Sequence, residues 1–407
     1  MRGLADTLSV GERIAWYRQR RGMSQEVLAG LVGRTADWLS KVENNRIDLG
    51  RLSVLRSLAS ALDVTVGDLI GELSLLDWSA DSGRSPVPAL RDALMDYRQI
   101  TPLLGHAPTG PPPELDTLAR DVGQVWDAYQ DSRYGYVTSR LSSLLAQAQS
   151  AGRTHTGEGR GRAKSLLAMT HQAAAMILTK LGEVDLAWIA ADRGLVAAQD
   201  SGNPVVIGSL FRSVTHSLLS NGRYPEAVQL SQDAAAYLQP GLANATPEYL
   251  SIYGTLLLAG SMAAARNKDR ATTRTFLAEA ADSARRLGAD ANHLWTAFGP
   301  TNVAIHRVST AVELGDLQVT VDLGPQVDVS ALPIERRIRH RIEVARAYSA
   351  WNRRDEALTI LLNAEQDAPE QIRYHFITRQ LVLRWIRQQR GKPNHHLIGL
   401  AERLHVV

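Results

Sequence analysis

The sequence predicts an all-α protein in which a small N-terminal domain precedes a long array of helices. Two short helices joined by a tight turn are predicted within residues 24–45. Further along the chain, helix-breaking turns recur at steps of 40, 45, 48 and 37 residues, counted from Gly182 through Gly222, Asn267 and Gly315 to Asn352. Repeats of this length are typical of stacked helical hairpins, so we predict a five-helix domain followed by an α-solenoid.

Composition limits the classes of protein that the chain can represent. Of its 407 residues 44% are hydrophobic and 21% charged, which is typical of a globular chain with two or three domains. The absence of cysteine excludes disulfides, thiolate nucleophiles and cysteine zinc sites, and it fits a reducing compartment. Charges at Arg2, Asp6 and Glu12 argue against a signal peptide, and the apolar run at 254–265 is too short to cross a bilayer. We therefore expect a soluble, cytoplasmic protein without a membrane partner.

Positive charge is concentrated near the N-terminus. The whole chain has a formal net charge of +3, whereas residues 13–56 contain nine Lys and Arg against four Asp and Glu, a local balance of +5. A basic module on a nearly neutral chain favours contact of that module with phosphates.

Residues 24–45 have the pattern of a helix-turn-helix. Ser24 and Thr35 stand where a hydroxyl can cap a helix N-terminus, with the turn at 33–35 between the two helices. On the second helix Trp38, Leu39 and Val42 share one face. The opposite face carries Ala36, Asp37, Ser40, Lys41 and Asn44. One face is therefore expected to pack, and the other is free for recognition.

These residues resemble the lambda-repressor/Cro-like helix-turn-helix, the xenobiotic-response-element family of bacterial and phage regulators, over about the first seventy residues. The resemblance rests on Gly22-Met23-Ser24-Gln25, on Ala29 at a helix crossing, and on Leu39-Ser40-Lys41-Val42-Glu43. It implies that Arg18 forms a structural pair with Glu43. The sequence departs from the family at Asn45, where glycine is usual, and at Trp38, which is bulkier than the common small polar residue.

The resemblance also implies which side chains meet double-stranded DNA. The recognition helix would place Ala36, Asp37, Ser40 and Lys41 at base edges, and the phosphate candidates are Gln25, Arg34, Asn44, Asn45 and Arg46. Lys41 can donate to guanine, Asp37 can accept from cytosine N4, and Ala36 can touch a thymine methyl. For Asp37, stabilisation of the positive helix N-terminus is an equal alternative. We expect Trp38 to be core and Lys41 to contact a base rather than remain a solvated charge.

The flanking helices complete a domain that ends near residue 71. Helices are predicted at 10–21 and 53–62, and a short fifth helix at 64–69. Residues 72–113 are predicted to be a linker with a helical insert at 87–99, because the dense prolines of 101–113 prevent regular helix. This gives a DNA-binding domain at 1–71, a linker at 72–113 and a helical array at 114–407.

In the array, three turn markers are followed five positions later by alanine, at Ala187, Ala227 and Ala357. The array therefore resembles tetratricopeptide repeats, in which two helices approach closely at such a position, although its spacing exceeds that family's 34 residues. Together the two parts resemble regulators with a Cro-like domain and a tetratricopeptide-type sensor, including peptide-responsive ones. This implies a homodimer, sensing by the repeats and a transcriptional output.

Polar residues on otherwise apolar helices mark a candidate site for a small-molecule or peptide effector. The candidates are Arg212, His216, Tyr253, Trp295, Asn302 and His306, of which two pairs are spaced i, i+4. Mutually satisfied core groups or a dimer contact are alternatives that stay open. Residues 335–346 are densely basic, and we interpret them as a solvated helix face rather than as a site for an anion.

The sequence proposes no reaction, so we expect no enzyme activity, no cofactor and no metal. Residues 157–165 superficially resemble a phosphate loop, but Ala163 stands where glycine is required, and we interpret the segment as a loop entering a helix. The histidines lack the spacing of a metal or catalytic site. We predict a dimeric, sequence-specific regulator of transcription whose repeats sense an effector. The alternative is a repeat scaffold for protein partners with an accessory DNA-binding module.

Overall fold

Helices account for nearly all of the chain that the structure describes. The computed structural model describes residues 9–47, 49, 52–62, 64, 69, 86–95, 113–389, 394–404 and 406. Its helices are α1 Val10–Arg20, α2 Gln25–Leu31, α3 Ala36–Glu43, α4 Leu52–Ala61, α5 Pro86–Met95, α6 Leu115–Gln130, α7 Tyr134–Thr154, α8 Gly157–Lys180, α9 Val184–Ser201, α10 Pro204–Ser220, α11 Tyr224–Leu238, α12 Pro247–Arg266, α13 Arg270–Leu287, α14 Pro300–Leu314, α15 Leu317–Leu323, α16 Ile334–Ala350, α17 Arg354–Asp367, α18 Pro369–Tyr374, α19 Phe376–Gln388 and α20 His395–Arg403. The predicted all-α fold, with a helix-turn-helix pair followed by helical hairpins, is confirmed.

The N-terminal helices α1 to α4 surround one small apolar core. Ile14, Leu28, Leu39 and Leu55 come from four different helices and have no exposed surface. The predicted helices at 10–21 and 53–62 are present within one residue at each end, and the insert at 87–99 is present as α5. The predicted fifth helix, apart from residues 64 and 69, and the proline-rich part of the linker lie outside the described residues.

The body consists of antiparallel hairpins, among them α8 with α9, α12 with α13 and α16 with α17. The predicted turn residues Gly182, Gly222 and Asn352 have φ of +80°, +72° and +61°, the left-handed backbone that ends one helix and begins the next. At the third turn Asn267 caps the end of α12, and the left-handed conformation belongs to the next residue, Lys268, with φ +65°.

Three small residues allow the hairpins to pack closely. Ala187, Ala227 and Ala357 have no exposed surface, as their predicted place at a helix crossing requires. A larger side chain at these positions would separate the two helices of a hairpin.

The loop interpretation of residues 157–165 is wrong, since α8 begins at Gly157 and continues unbroken. Its glycines are tolerated because packing stabilises the helix: Ala163 is fully buried, and a Cβ on Gly161 would lie 3.3 Å from the Ser201 carbonyl oxygen.

The array curls back on itself, so that its first hairpin meets much later parts of the chain. The indole Nε1 of Trp295 donates to Asp127 at 2.7 Å, and its ring stacks on Trp126 with centroids 5.7 Å apart. Gln130 and Asn292 exchange amide hydrogen bonds of 3.0 and 2.8 Å. We call the contacts among Trp126, Asp127, Gln130, Asn292 and Trp295 the closure contacts. They join elements about 160 residues apart and bring the inner helices of the array around a common interior.

Two further interactions join α7 and the turn that precedes it to α18. Ser132 donates to Gln371 at 2.7 Å, and the Gly135 amide donates to Glu370 at 2.9 Å. Gln371 in turn donates to the Glu335 carbonyl at 3.1 Å, so α16 is held by the same network.

The N-terminal domain contacts both early and late parts of the array. Arg56 of α4 forms an ion pair with Asp185 at the start of α9. Phe376, the first residue of α19, packs against the apolar core of the N-terminal domain. The domain is therefore in contact with two separate hairpins of the body.

Candidate nucleic-acid interface and interior site

The helix-turn-helix is built by local signals that the sequence already contains. The Ser24 hydroxyl accepts from the Val27 amide and the Thr35 hydroxyl from the Trp38 amide, each at 3.2 Å. Gly33 has φ +65°, which turns the chain sharply between α2 and α3. Both predicted N-caps are confirmed.

A buried ion pair fixes α3 against α1. Glu43 accepts from Arg18 Nε at 2.6 Å and from Arg18 Nη2 at 2.9 Å, which is a bidentate arrangement. Gln25 Nε2 also donates to Glu43, at 2.7 Å, and Arg18 Nη1 donates to the Met23 carbonyl at 2.8 Å. The implied structural pair is confirmed, and it joins three helices at one carboxylate.

The end of α3 lies so close to α1 that only glycine fits at position 11. A Cβ on Gly11 would stand 2.2 Å from the Val42 carbonyl oxygen. Asn45, which replaces the usual glycine, has φ +56°, and its amide donates to the Ser9 hydroxyl at 2.9 Å. Sequence reasoning missed Gly11, because nothing local distinguishes it from a glycine of ordinary helix.

The outer face of α3 is polar and open. Leu39 and Val42 are buried on the inner face, whereas Asp37, Lys41 and Asn44 are exposed. Lys41 Nζ lies 2.6 Å from Asp37 Oδ2 across one turn. Of the predicted base-edge residues, Asp37 and Lys41 are therefore exposed on this surface, and Ala36 and Ser40 are half-buried.

Five side chains near this face were expected at phosphates. Arg34, Asn44, Asn45 and Arg46 are exposed, and Gln25 is half-buried with its amide nitrogen already bound to Glu43. Arg34 covers the Trp38 ring, its guanidinium carbon 5.6 Å from the ring centroid. The other side of Trp38 packs against the domain core.

A second group of charged residues lies where the inner helices of the body converge. We call it the interior cluster: Lys180, Arg212, His216, His306, Glu335, Arg336 and Arg339, from α8, α10, α14 and α16. Lys180 forms an ion pair with Glu335. Burial alone would raise the pKa of Glu335, but Lys180 and Arg336 beside it lower this pKa to about 2, so the carboxylate stays ionised.

Burial, reinforced by the cations of the cluster, keeps its histidines neutral. Burial, followed by the charges of Arg212 and Arg336, lowers the pKa of His216 well below its ordinary value. Burial and then Arg336 lower the pKa of His306 to about 3. His306 Nδ1 lies 2.9 Å from the Asn302 carbonyl oxygen. Because a carbonyl oxygen can only accept a hydrogen bond, Nδ1 carries the proton and Nε2 is unprotonated in the neutral ring.

Two arginines of the basic run belong to this cluster. Arg336 and Arg339 are half-buried and act electrostatically on His306, so the interpretation of 335–346 as a solvated face is wrong for them. Arg341, on another side of α16, is half-buried and pairs with Asp367 at 2.7 Å. Sequence reasoning missed Lys180 and Glu335 entirely, and the density of basic residues was the one available signal.

The predicted effector residues do not all come together. Arg212, His216 and His306 are in the interior cluster, and the backbone of Asn302 supports His306. Tyr253 instead packs in an apolar cluster with its hydroxyl bound to Glu279, and Trp295 is engaged in the closure contacts. The Asn302 amide donates to the Ala297 carbonyl at 2.8 Å, while its oxygen is buried without a hydrogen-bond partner among the described residues.

Residues 9–73 match a protein-family model described as a helix-turn-helix domain. The chain therefore has a DNA-binding helix-turn-helix domain, and this indicates a regulator rather than an enzyme. Among solved structures, the chain is similar to Bacillus thuringiensis PlcR, crystallised with the peptide PapR7 and DNA, with 11% identity and a TM-score of 0.36. That similarity covers 86% of this chain and 98% of the other. A search of curated proteins finds no match.

Two other classes of site were sought in the described ranges. There, no three or more His, Cys, Asp or Glu residues are placed to hold a metal ion. No helix in the same ranges combines the length and apolar character that crossing a bilayer requires.

Proposed function

We propose that the protein is a sequence-specific regulator of transcription that binds operator DNA as a homodimer and senses an effector with its helical body. The observation that carries this proposal is the difference between the two faces of α3. One side is locked to the domain by Leu39, Val42 and the Glu43 carboxylate, and the other offers exposed polar groups. A helix held in this way can enter a major groove without rearrangement.

In this proposal Ala36, Asp37, Ser40 and Lys41 face base edges, and Arg34, Asn44, Asn45 and Arg46 face phosphates. The pair between Lys41 and Asp37 is exposed on both sides, with side-chain exposures of 47% and 74%. Exposed pairs of this kind contribute only a few tenths of a kcal/mol, so exchanging it for a base contact costs little. Gln25 contributes less to phosphate binding than its position suggests, because Glu43 holds its amide nitrogen.

The size of the reading element supports a homodimer. An eight-residue helix is about 12 Å long and can cover only a few base pairs. Two copies on half-sites about one helical turn apart supply the missing specificity. We further propose that the functional division of the chain is a DNA-binding domain at 1–71, a linker at 72–113 and a sensor and dimerisation domain at 114–407.

Two adjacent residues connect the interior cluster to the DNA-binding domain. Arg339 Nη1 lies 3.0 Å from His375 Nε2, and the next residue, Phe376, packs against the core of the N-terminal domain. His375 is 8% exposed, and burial and Arg339 lower its pKa well below the ordinary value. An effector that moves Arg339 would therefore also move His375 and, with it, the adjacent Phe376. This would change how the DNA-binding domain is positioned on the body.

The test is recovery and sequencing of genomic fragments bound by the purified full-length protein at near-physiological salt. We expect an enriched, roughly palindromic motif. Lys41→Ala should weaken binding to that motif by about 1–3 kcal/mol and relax one base position. Arg46→Ala should weaken binding to all sequences and lower the salt slope.

Arg223→Ala is the matched control, since Arg223 is an exposed arginine of the body that pairs with Glu226. It should bind like the unmodified protein. Background binding without a motif would contradict the regulator and favour a repeat scaffold for protein partners. An unchanged footprint for Lys41→Ala would contradict the proposed base contact.

A further inference from the structure

The interior cluster has more positive charge than its own residues neutralise. Lys180, Arg212, Arg336 and Arg339 surround a single carboxylate of the cluster, Glu335. Arg339 has a second acidic neighbour, Glu343, at 3.4 Å. Glu343 is itself shared with Arg346 at 3.2 Å. The histidines add no charge at neutral pH, because burial lowers the pKa values of both His216 and His306.

Two guanidinium groups in this cluster are held without hydrogen-bond partners for their Nε atoms. Arg212 is 4% exposed and Arg336 is half-buried, and the Nε atom of each is buried and unpaired within the described part of the chain. Burial and the charge of Arg336 lower the pKa of Arg212 to about 10. Burying an arginine without a partner is costly for folding, so such an arrangement persists only where something else compensates for it.

We propose that the interior cluster binds a small molecule that has at least two oxyanion groups, phosphate or carboxylate, which bridge Arg212 and Arg336. This inference rests on the proposed function, because it names the chemical class of the effector that the body senses. The guanidinium fork of each arginine matches the two oxygens of such a group.

The neighbouring side chains suit the same ligand. His216 and His306, which lie beside the two arginines, are half-buried. An anion bound between the arginines would offset charges that add to the effect of burial on the pKa of both rings. The neutral rings would then line the ligand beside the two guanidinium groups.

Several other arginines of the body have acidic partners at short distance. Arg266 and Arg346 both lie 3.3 Å from Glu313, and Arg341 pairs with Asp367. Those arginines are neutralised within the chain. Arg212 and Arg336 share only the nearby Glu335, which Lys180 already engages.

The test measures thermal unfolding of the full-length protein with pyrophosphate, with citrate, and with sodium chloride at the same ionic strength. We expect one of the two anions to raise Tm by about 5 °C or more at saturation, with no such rise in sodium chloride. A response to pyrophosphate assigns a phosphate ligand, and a response to citrate assigns a carboxylate ligand.

Arg212→Met and Arg336→Gln should each weaken the affinity for that anion by about tenfold or more in calorimetric titration. Arg212→Met should also melt no lower than the unmodified protein without ligand, because it removes a buried, unpaired charge. Arg223→Met, at an exposed and paired arginine, is the control and should respond fully. If Arg212→Met fails to fold, the anion affinity of Arg336→Gln, a change at a half-buried residue, tests the proposal.

The inference is overturned if neither anion stabilises the protein beyond sodium chloride, or if both cluster variants respond like the control. These outcomes are distinct from failure of the proposed function. An enriched DNA motif without any response to the anions would support the proposed regulator and contradict the proposed oxyanion ligand. An anion response that leaves DNA affinity unchanged would keep the site and remove its role in sensing.

Discussion

Removal of the Glu43 carboxylate should strongly destabilise the DNA-binding domain while the body stays intact. In the native domain this carboxylate accepts three hydrogen bonds, at 2.6 and 2.9 Å from Arg18 and at 2.7 Å from Gln25. Glu43→Ala leaves Arg18, which is 9% exposed, as a buried charge without its partner. Breaking a buried pair from one side costs about 3–5 kcal/mol.

That cost is comparable with the whole stability of a domain of this size. The helix-turn-helix match spans residues 9–73, and about 0.05–0.15 kcal/mol per residue corresponds to roughly 3–10 kcal/mol. We therefore expect amide hydrogen exchange in α1 and α3 to accelerate by about a hundredfold to a thousandfold, because every 1.4 kcal/mol is about a factor of ten. Mass spectrometry of peptic peptides from the full chain measures this, with α8 and α12 as internal references.

The double variant Arg18→Met, Glu43→Leu is the control for this reasoning. It removes both charges and keeps apolar volume, so its stability should return to within about 2 kcal/mol of the original domain. Exchange in Glu43→Ala that matches the unmodified protein would refute the argument. So would a double variant as unstable as the single one.

Three further changes test the body. Gly254→Ala should lower the free energy of unfolding by about 1–3 kcal/mol in urea, because its Cβ would lie 1.9 Å from Phe298 Cζ. Trp295→Ala should speed limited proteolysis around α6, because it removes the stack on Trp126. His171 is 3% exposed, and burial lowers its pKa to about 3. Its contribution to stability is therefore present above about pH 6.5 and lost as the pH falls, by about 2 kcal/mol at pH 5. His171→Gln should reduce the loss measured in urea titrations by that amount, while His216 and His306 continue to contribute to it.

Each of these expectations has a clear contrary result. Unchanged urea stability of Gly254→Ala would mean that Phe298 moves aside freely. An unaltered cleavage pattern for Trp295→Ala would show that the remaining closure contacts suffice. The same loss of stability on acidification in His171→Gln would place the responsible protonation elsewhere.

The DNA-binding face could be predicted from sequence because its determinants are local. The caps Ser24 and Thr35, the spacing of Leu39 and Val42, and a glycine turn lie within a few residues of one another. The interior cluster could be predicted only in part. Arg212 and His306 were singled out because each is one half of a polar i, i+4 pair on an apolar helix.

What remained hidden depends on contacts between distant parts of the chain. Which side of α16 faces inward is decided when α6 reaches α16, so the role of Arg336 cannot be derived from the basic run alone. The same applies to Tyr253, whose polar hydroxyl suggested a ligand but finds Glu279 on the next helix.

The curl of the body also fixes how many hairpins it can contain. An open solenoid can gain or lose a unit at either end, because each unit touches only its neighbours. Here an added or deleted hairpin between α6 and α14 would carry Trp295 away from Trp126 and misalign Gln130 with Asn292. The number of hairpins between α6 and α14 is therefore fixed by these contacts. Related proteins should differ in side chains and loops more readily than in the number of these hairpins.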